Sequence, residues 1–192
     1  MAAVASTMRD LGTPASEFSL PDVTNRNQIV NLSDFDGQPL LVMFICNHCP
    51  YVLHLIGPLV QLANRAQKDG FGVVAINAND IETYPQDGPD LMQSFAAQHG
   101  FDFPYLFDAT QAVAKAYRAA CTPDFFVYSR QHRLQYRGQM DASRPSNSHP
   151  IDGHDLTAAL DAVLAEKPTT EQQIPSIGCN IKWRSGNEPD YF

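Results

Sequence analysis

Residues 39–51 read PLLVMFICNHCPY, and three signals follow one another in that short stretch. Pro39 to Ile45 is an unbroken apolar run bounded by the Gly-Gln-Pro turn at 37–39, as expected of a strand buried on both faces. Cys46 and Cys49 then stand three apart, with His48 between them. Behind Pro50, from Tyr51 to Lys68, Val52, Leu55, Ile56, Leu59, Leu62, Ala63 and Ala66 recur at helical spacing, and Gly70 ends the helix. The internal Gly57-Pro58 predicts a kink, because proline removes a ladder donor and clashes with the preceding turn. The two thiols therefore sit where a buried strand turns into a helix.

Gly72 to Asn77 (GVVAIN) is a second buried strand, so the order strand, helix, strand demands a parallel pair with a right-handed crossover. Upstream, Glu17 to Leu20 and Gln28 to Leu32 are short β-type pieces separated by turn residues, an N-terminal hairpin. Downstream the pattern predicts a loop from Ile81 to Asp90, a helix from Leu91 to His99, a strand at Tyr105 to Phe107 and a helix from Gln111 to Ala119. Phe125 to Tyr128 and Arg133 to Gln139 form a second hairpin, followed by the Pro/Ser/Asn-rich loop Asp141 to Gly153 and a last helix, Leu156 to Glu166. The result is an α/β chain with a central mixed sheet and helices on both faces. In such sheets ligands sit outside the carboxyl ends of the strands, where Cys46 lies.

Residues 12–167 carry this pattern, and 168–192 form a C-terminal extension. Ile177, Ile181, Trp183, Tyr191 and Phe192 are too apolar to leave in water, so the extension is expected to pack on the domain. A chain of 192 residues with 44% hydrophobic content suits one substantial core. Its 13 basic and 21 acidic residues give a net charge of −8 without a basic run, which argues against a nucleic-acid partner. The start does not read as a secretory signal, and no apolar run approaches the roughly 20 residues of a membrane span. A cytoplasmic protein is expected, and in a reducing compartment closely spaced thiols are more often catalytic or metal-binding than structural.

A cysteine at a helix N-terminus meets unsatisfied amides and the positive end of the helix dipole, both of which favour a thiolate. His48 adds polar stabilisation of the reduced form and makes the couple more oxidising. The alternatives for the pair are inert buried thiols or half of a metal site, although no second Cys-X-X-Cys exists to complete a structural zinc. Asn77, Asn79 and Asp80 end the second strand on the same edge, where making the turn is their simplest role. His54, one turn into the helix, faces either the pair or solvent.

The strand-CNHCPY-helix unit, GTPASEFSLPDV at 12–23, NLSDFDGQPLLVMF at 31–44, CTPDFFVY at 121–128 and PSIGCNIKW at 175–183 together resemble thioredoxin-fold proteins of the peroxiredoxin-like group, the alkyl hydroperoxide reductase C / thiol-specific antioxidant family. The resemblance runs from about Gly12 to the C-terminus. It implies a thioredoxin-like three-layer sandwich, a redox dithiol with no metal or other cofactor, disulfide or hydroperoxide substrates, and an external thiol reductant. It places the family's cis-proline loop at Thr122-Pro123, beside the active thiol, and makes Cys46 the exposed nucleophile with Cys49 resolving it. Asp141 and Arg144 match the family's loop, where a salt bridge between them is expected.

One departure is decisive. The peroxide-reducing cysteine of true peroxiredoxins lies in Pro-X-X-X-Thr/Ser-X-X-Cys and aligns with Cys49, which puts Val42 and Cys46 at the proline and hydroxyl positions. Disulfide exchange is therefore expected over peroxide chemistry. A peroxidatic Cys49 remains the alternative, because Pro50 prefers the first helical position and would make Cys49 the N-cap. Cys121, next to Thr122, and Cys179, in the extension, are candidate additional redox thiols. A further alternative is a copper- or zinc-binding module using Cys46, Cys49 and His54 or His149.

Overall fold

The computed structural model describes residues 3–191, so Phe192 lies outside the described residues. Leu40–Phe44 (β4) is a central strand in which every residue is buried. Alternation sends Leu41 and Met43 to one layer and Leu40, Val42 and Phe44 to the other, which is why the sequence there is continuously apolar. On one side β4 pairs in parallel with Gly72–Asn77 (β5), from Leu40 opposite Gly72 to Phe44 opposite Ile76. On the other it pairs antiparallel with Asp124–Tyr128 (β8), which turns back into Leu134–Gly138 (β9). Tyr105–Phe107 (β6) extends the sheet parallel to β5, and the hairpin of Ser19–Asp22 (β2) and Gln28–Asn31 (β3) completes it. The seven strands run in the order β3-β2-β6-β5-β4-β8-β9.

Pro50–Lys68 (α1), Pro89–His99 (α2) and His154–Leu164 (α4) cover one face through Val52, Leu59, Met92, Phe95, Leu156 and Leu160. The opposite face is closed by Ala112–Tyr117 (α3), by Phe18 and Leu20 of the N-terminal segment, and by Ile181 of the extension. This is the expected three-layer arrangement. Burying each such side chain stabilises the fold by about 1.5–3 kcal/mol, before the cost of ordering the chain. α1 stops at Gly70, whose φ of +99° is open to glycine and strained for other residues.

Two local expectations are corrected. The helix predicted from Gln111 to Ala119 spans only Ala112–Tyr117, because Gln111 and Arg118 at its two ends are left-handed at φ 64° and 53°, and the Gln111 side-chain Nε2 is tied to the carbonyls of Ala78 and Lys182. In the extension Ile181 is buried and Trp183 and Tyr191 are half-buried, yet Ile177 stays 41% exposed. The extension contributes a strand that periodicity did not reveal: Ile177–Asn180 (β10) lies between Ala3–Ala5 (β1) and Cys121–Thr122 (β7) in a separate antiparallel sheet.

Asp124, at the start of β8, is fully buried, and burial pushes its carboxyl up to about 7. Since the unfolded value is near 3.9, the folded state holds a proton that the unfolded chain has lost between about pH 4 and 7. Stability should therefore fall as pH rises through that window, by roughly 4 kcal/mol at most, and then level off. Asp124→Asn is expected to flatten this slope in urea melts at pH 5 and pH 8; an equal slope in both proteins would show that another group is responsible.

Candidate active site

Pro50 is the first residue of α1, and Cys49 is its N-cap with extended backbone at φ −68° and ψ 121°. The proline ring dictates both, by fixing its own φ and by pushing its predecessor out of the helical region. The Cys49 carbonyl accepts the first helical bond from Leu53 at 2.9 Å. Facing the pair from across the sheet edge is Thr122, whose peptide to Pro123 is cis. The Cys46 sulfur lies 3.5 Å from the Thr122 hydroxyl, and the Cys49 thiol reaches the Thr122 carbonyl at 3.0 Å. Cys46, Cys49, Thr122 and Pro123 are thus brought together.

The expected exposed nucleophile is not exposed: Cys46 is 1% accessible and Cys49 0%. Beside the pair, β10 pairs with β7 so that Cys179 stands opposite Thr122. Cys179 is itself buried and lies beside Cys49. Hydrogen bonds from the Cys179 and Cys46 thiols hold Cys49 well below the ordinary thiol range, with the Val52 amide at the helix end assisting against burial. Its partners move the other way. Cys46 is pushed up by its bond to Cys49, by burial and by the Asp87 carboxylate, and Cys179 by its bond to Cys49 and by burial. The reduced centre therefore favours one negative charge on Cys49 with two protonated thiols donating to it; when Cys49 is neutral, its proton goes to the Thr122 carbonyl. Cys121 is apart from this trio, its thiol turned to the Pro123 carbonyl at 3.4 Å and kept protonated by burial. All four cysteines are free.

His48 Nδ1 lies 2.7 Å from Asp87 Oδ2, off the N–H direction, so the contact is not an aligned hydrogen bond. Its ring stacks on Tyr84 at 5.6 Å and 7°. Asp87 is fully buried and tightly held: Oδ1 accepts the Asn47 amide at 2.9 Å, Oδ2 accepts Asn79 Nδ2 at 2.8 Å, and its carbonyl accepts Asn77 Nδ2 at 2.9 Å. Asn79 Oδ1 in turn accepts the Lys182 amide of the extension at 2.8 Å. Asn77 and Asn79 thus do more than make a turn. Asp87 escaped the sequence reading altogether, since nothing in YPQDGP separates it from a loop acid.

Cys46, His48 and Asp87 place a sulfur, a nitrogen and an oxygen within 4.8 Å of one another. As placed, they do not fit a tetrahedral zinc. Two ligands of one tetrahedral zinc, each about 2.0–2.1 Å from it, stay roughly 3.3 Å apart, whereas the nitrogen and oxygen here touch at 2.7 Å. Among the described residues, no cluster of three ligating groups includes His54 or His149. His54 Nε2 instead meets the Ser143 hydroxyl at 2.8 Å. The salt bridge expected between Asp141 and Arg144 is also absent: the Asp141 carboxylate takes the amides of Ser143 and Gly153, while the Arg144 guanidinium donates to the carbonyls of Asp141 and Ser143 and to Gln139 Oε1.

Among the described residues, no helix is long and apolar enough to cross a membrane. Among curated proteins no sequence matches the chain. Among solved structures, an uncharacterized conserved protein from Geobacillus kaustophilus is 50% identical, with 96% of this chain and 97% of that one covered at a TM-score of 0.93. A hypothetical protein from Sinorhizobium meliloti is 46% identical over 95% and 99% of the two chains, at 0.91. A candidate thiol:disulfide interchange protein DsbE from Chlorobium tepidum is 25% identical over 81% and 98%, at 0.61. The likeness to the last supports the thioredoxin-like fold already described. Residues 11–137, which hold the hairpin, the dithiol and the Thr122-Pro123 loop, match the AhpC/TSA family, and the chain belongs to that family.

Proposed function

We propose that the protein is a thiol–disulfide oxidoreductase working through the Cys46/Cys49 dithiol. The observation that carries this reading is the placement of the pair, with Cys49 at the N-cap of α1 and both sulfurs against Thr122 of the cis Thr122-Pro123 loop. The Cys49 thiolate attacks a substrate disulfide, forming a Cys49–substrate bond and expelling one substrate thiolate. Cys46 then attacks the Cys49 sulfur, closing the Cys46–Cys49 disulfide and releasing the second substrate thiolate. Two electrons pass to the substrate, and an external thiol reductant restores the dithiol. Because both sulfurs are covered, the site must open, and β10 is the element packed over Cys49. Protein or small-molecule disulfides are the substrates we propose, and the cytoplasm is the compartment we propose.

Reduction of insulin with dithiothreitol as reductant tests this reading, together with mass spectrometry of thiols trapped by iodoacetamide. The expected product is a Cys46–Cys49 disulfide two hydrogens lighter than the dithiol. Oxidised protein in which both thiols still alkylate would sink it. A second reading, a thiol peroxidase with Cys49 peroxidatic, draws on the N-cap placement of Cys49. It requires hydrogen peroxide consumption that depends on Cys49 and survives loss of Cys46.

A further inference from the structure

The proposed exchange leaves one proton without an acceptor. For Cys46 to attack the mixed disulfide it must first lose its proton, yet it is buried, its pKa is raised, and a carboxylate is nearby. We infer that His48 is the base that takes the Cys46 proton, and that Asp87 is a positioning residue that holds His48 for this task and stabilises the imidazolium it becomes.

This inference rests on the dithiol reading. Its support is geometric. A ring nitrogen of His48, a carboxylate oxygen of Asp87 and the Cys46 sulfur lie within 4.8 Å of one another. Nδ1 is engaged by Asp87, while Nε2 is buried and no described protein group hydrogen-bonds it. One His48 ring nitrogen thus lies near a thiol that must be deprotonated, and neither ring nitrogen has an aligned hydrogen-bond partner among the described residues, so the imidazole is placed to receive that proton. Three asparagines fix Asp87 through its carboxylate and its carbonyl, and Tyr84 fixes the plane of the imidazole. Such constraint exceeds what a surface loop needs and matches the order nucleophile, base, orienter.

The other titratable and charged groups around this assembly are few. Cys49 hydrogen-bonds Cys46, the Tyr105 hydroxyl donates to Asn47 Oδ1 at 3.1 Å, and Lys182 Nζ lies 5.7 Å from the centre of the Tyr84 ring. The step balances. The Cys46 proton moves to His48, the Cys46 thiolate bonds to the Cys49 sulfur, the bond between Cys49 and substrate sulfur breaks, and the departing thiolate collects the proton from His48.

An aromatic disulfide, 5,5′-dithiobis(2-nitrobenzoate), separates the two steps, because attack by Cys49 releases one thionitrobenzoate and closure by Cys46 releases a second. In a Cys121→Ser/Cys179→Ser background, Asp87→Asn is expected to slow the second release relative to the first by at least tenfold at pH 7. The deficit should shrink toward pH 10 as hydroxide replaces the base. His48→Gln, at a half-buried position, should reproduce the effect and decides the matter if Asp87→Asn does not fold. An unchanged ratio overturns the inference, as does a faster second release, which would make Asp87 only a charge that keeps Cys46 protonated. Absence of any second release in the background protein would instead overturn the dithiol reading itself.

Discussion

Cys49→Ser is expected to abolish insulin reduction and to leave no sulfur that captures substrate, whereas Cys46→Ser should stop turnover with substrate trapped on Cys49. The distinction follows from where the charge sits. Cys49 collects hydrogen bonds from Cys179, Cys46 and the Val52 amide, while Cys46 is surrounded by burial, a neighbouring carboxylate and a partner that prefers to keep the charge. Serine in place of the thiolate removes the nucleophile, a loss on the order of a thousandfold or more in rate. Incubation of each variant with insulin followed by mass spectrometry reads the outcome directly. Trapped mixed disulfide on Cys46 in the Cys49→Ser protein, and none on Cys49 in the Cys46→Ser protein, would reverse the assignment. A minor crosslink between Cys49 and Cys179 in the Cys46→Ser protein would show that the third thiol also exchanges.

The second large effect is structural. Gly178 passes so close to β7 that a Cβ there would stand 2.0 Å from the Thr122 carbonyl oxygen and 2.6 Å from its carbon. Both are backbone atoms and cannot rotate away, so Gly178→Ala must part β10 from β7. Overpacking of this kind costs about 1–3 kcal/mol, and each kcal/mol lowers Tm by about 2–4 °C in a chain of this size. The same oxygen accepts the Cys49 thiol, so the substitution should also expose the cluster. Faster iodoacetamide labelling of Cys179 and Cys49, with a lowered Tm, is the expected result. An unchanged melting temperature with protected thiols would mean that the strand pairing tolerates more room than the geometry allows.

Much of the fold was legible because its signals are local. β5 and β6 match the expected bounds, and β4 is read from its apolar run, since a strand buried on both faces must be continuously apolar. The N-cap role of Cys49 could be read from Pro50 alone, because proline restricts its predecessor wherever the chain goes. The dithiol and the Thr122-Pro123 loop were visible as a resemblance. β1, β7 and β10 were not visible, being two to four residues long and stabilised by pairing between segments more than 50 residues apart.

What the sequence determined by itself is the strand–dithiol–helix unit, the layer order around it and the placement of Cys49 at the helix end, all consequences of side-chain periodicity and of proline stereochemistry. The packing of distant segments adds that Cys179 lies beside Cys49, that Asp87 meets His48, and that the pair is covered. These depend on contacts between residues 39 to 130 apart in the chain, whose partners leave no periodic trace in it.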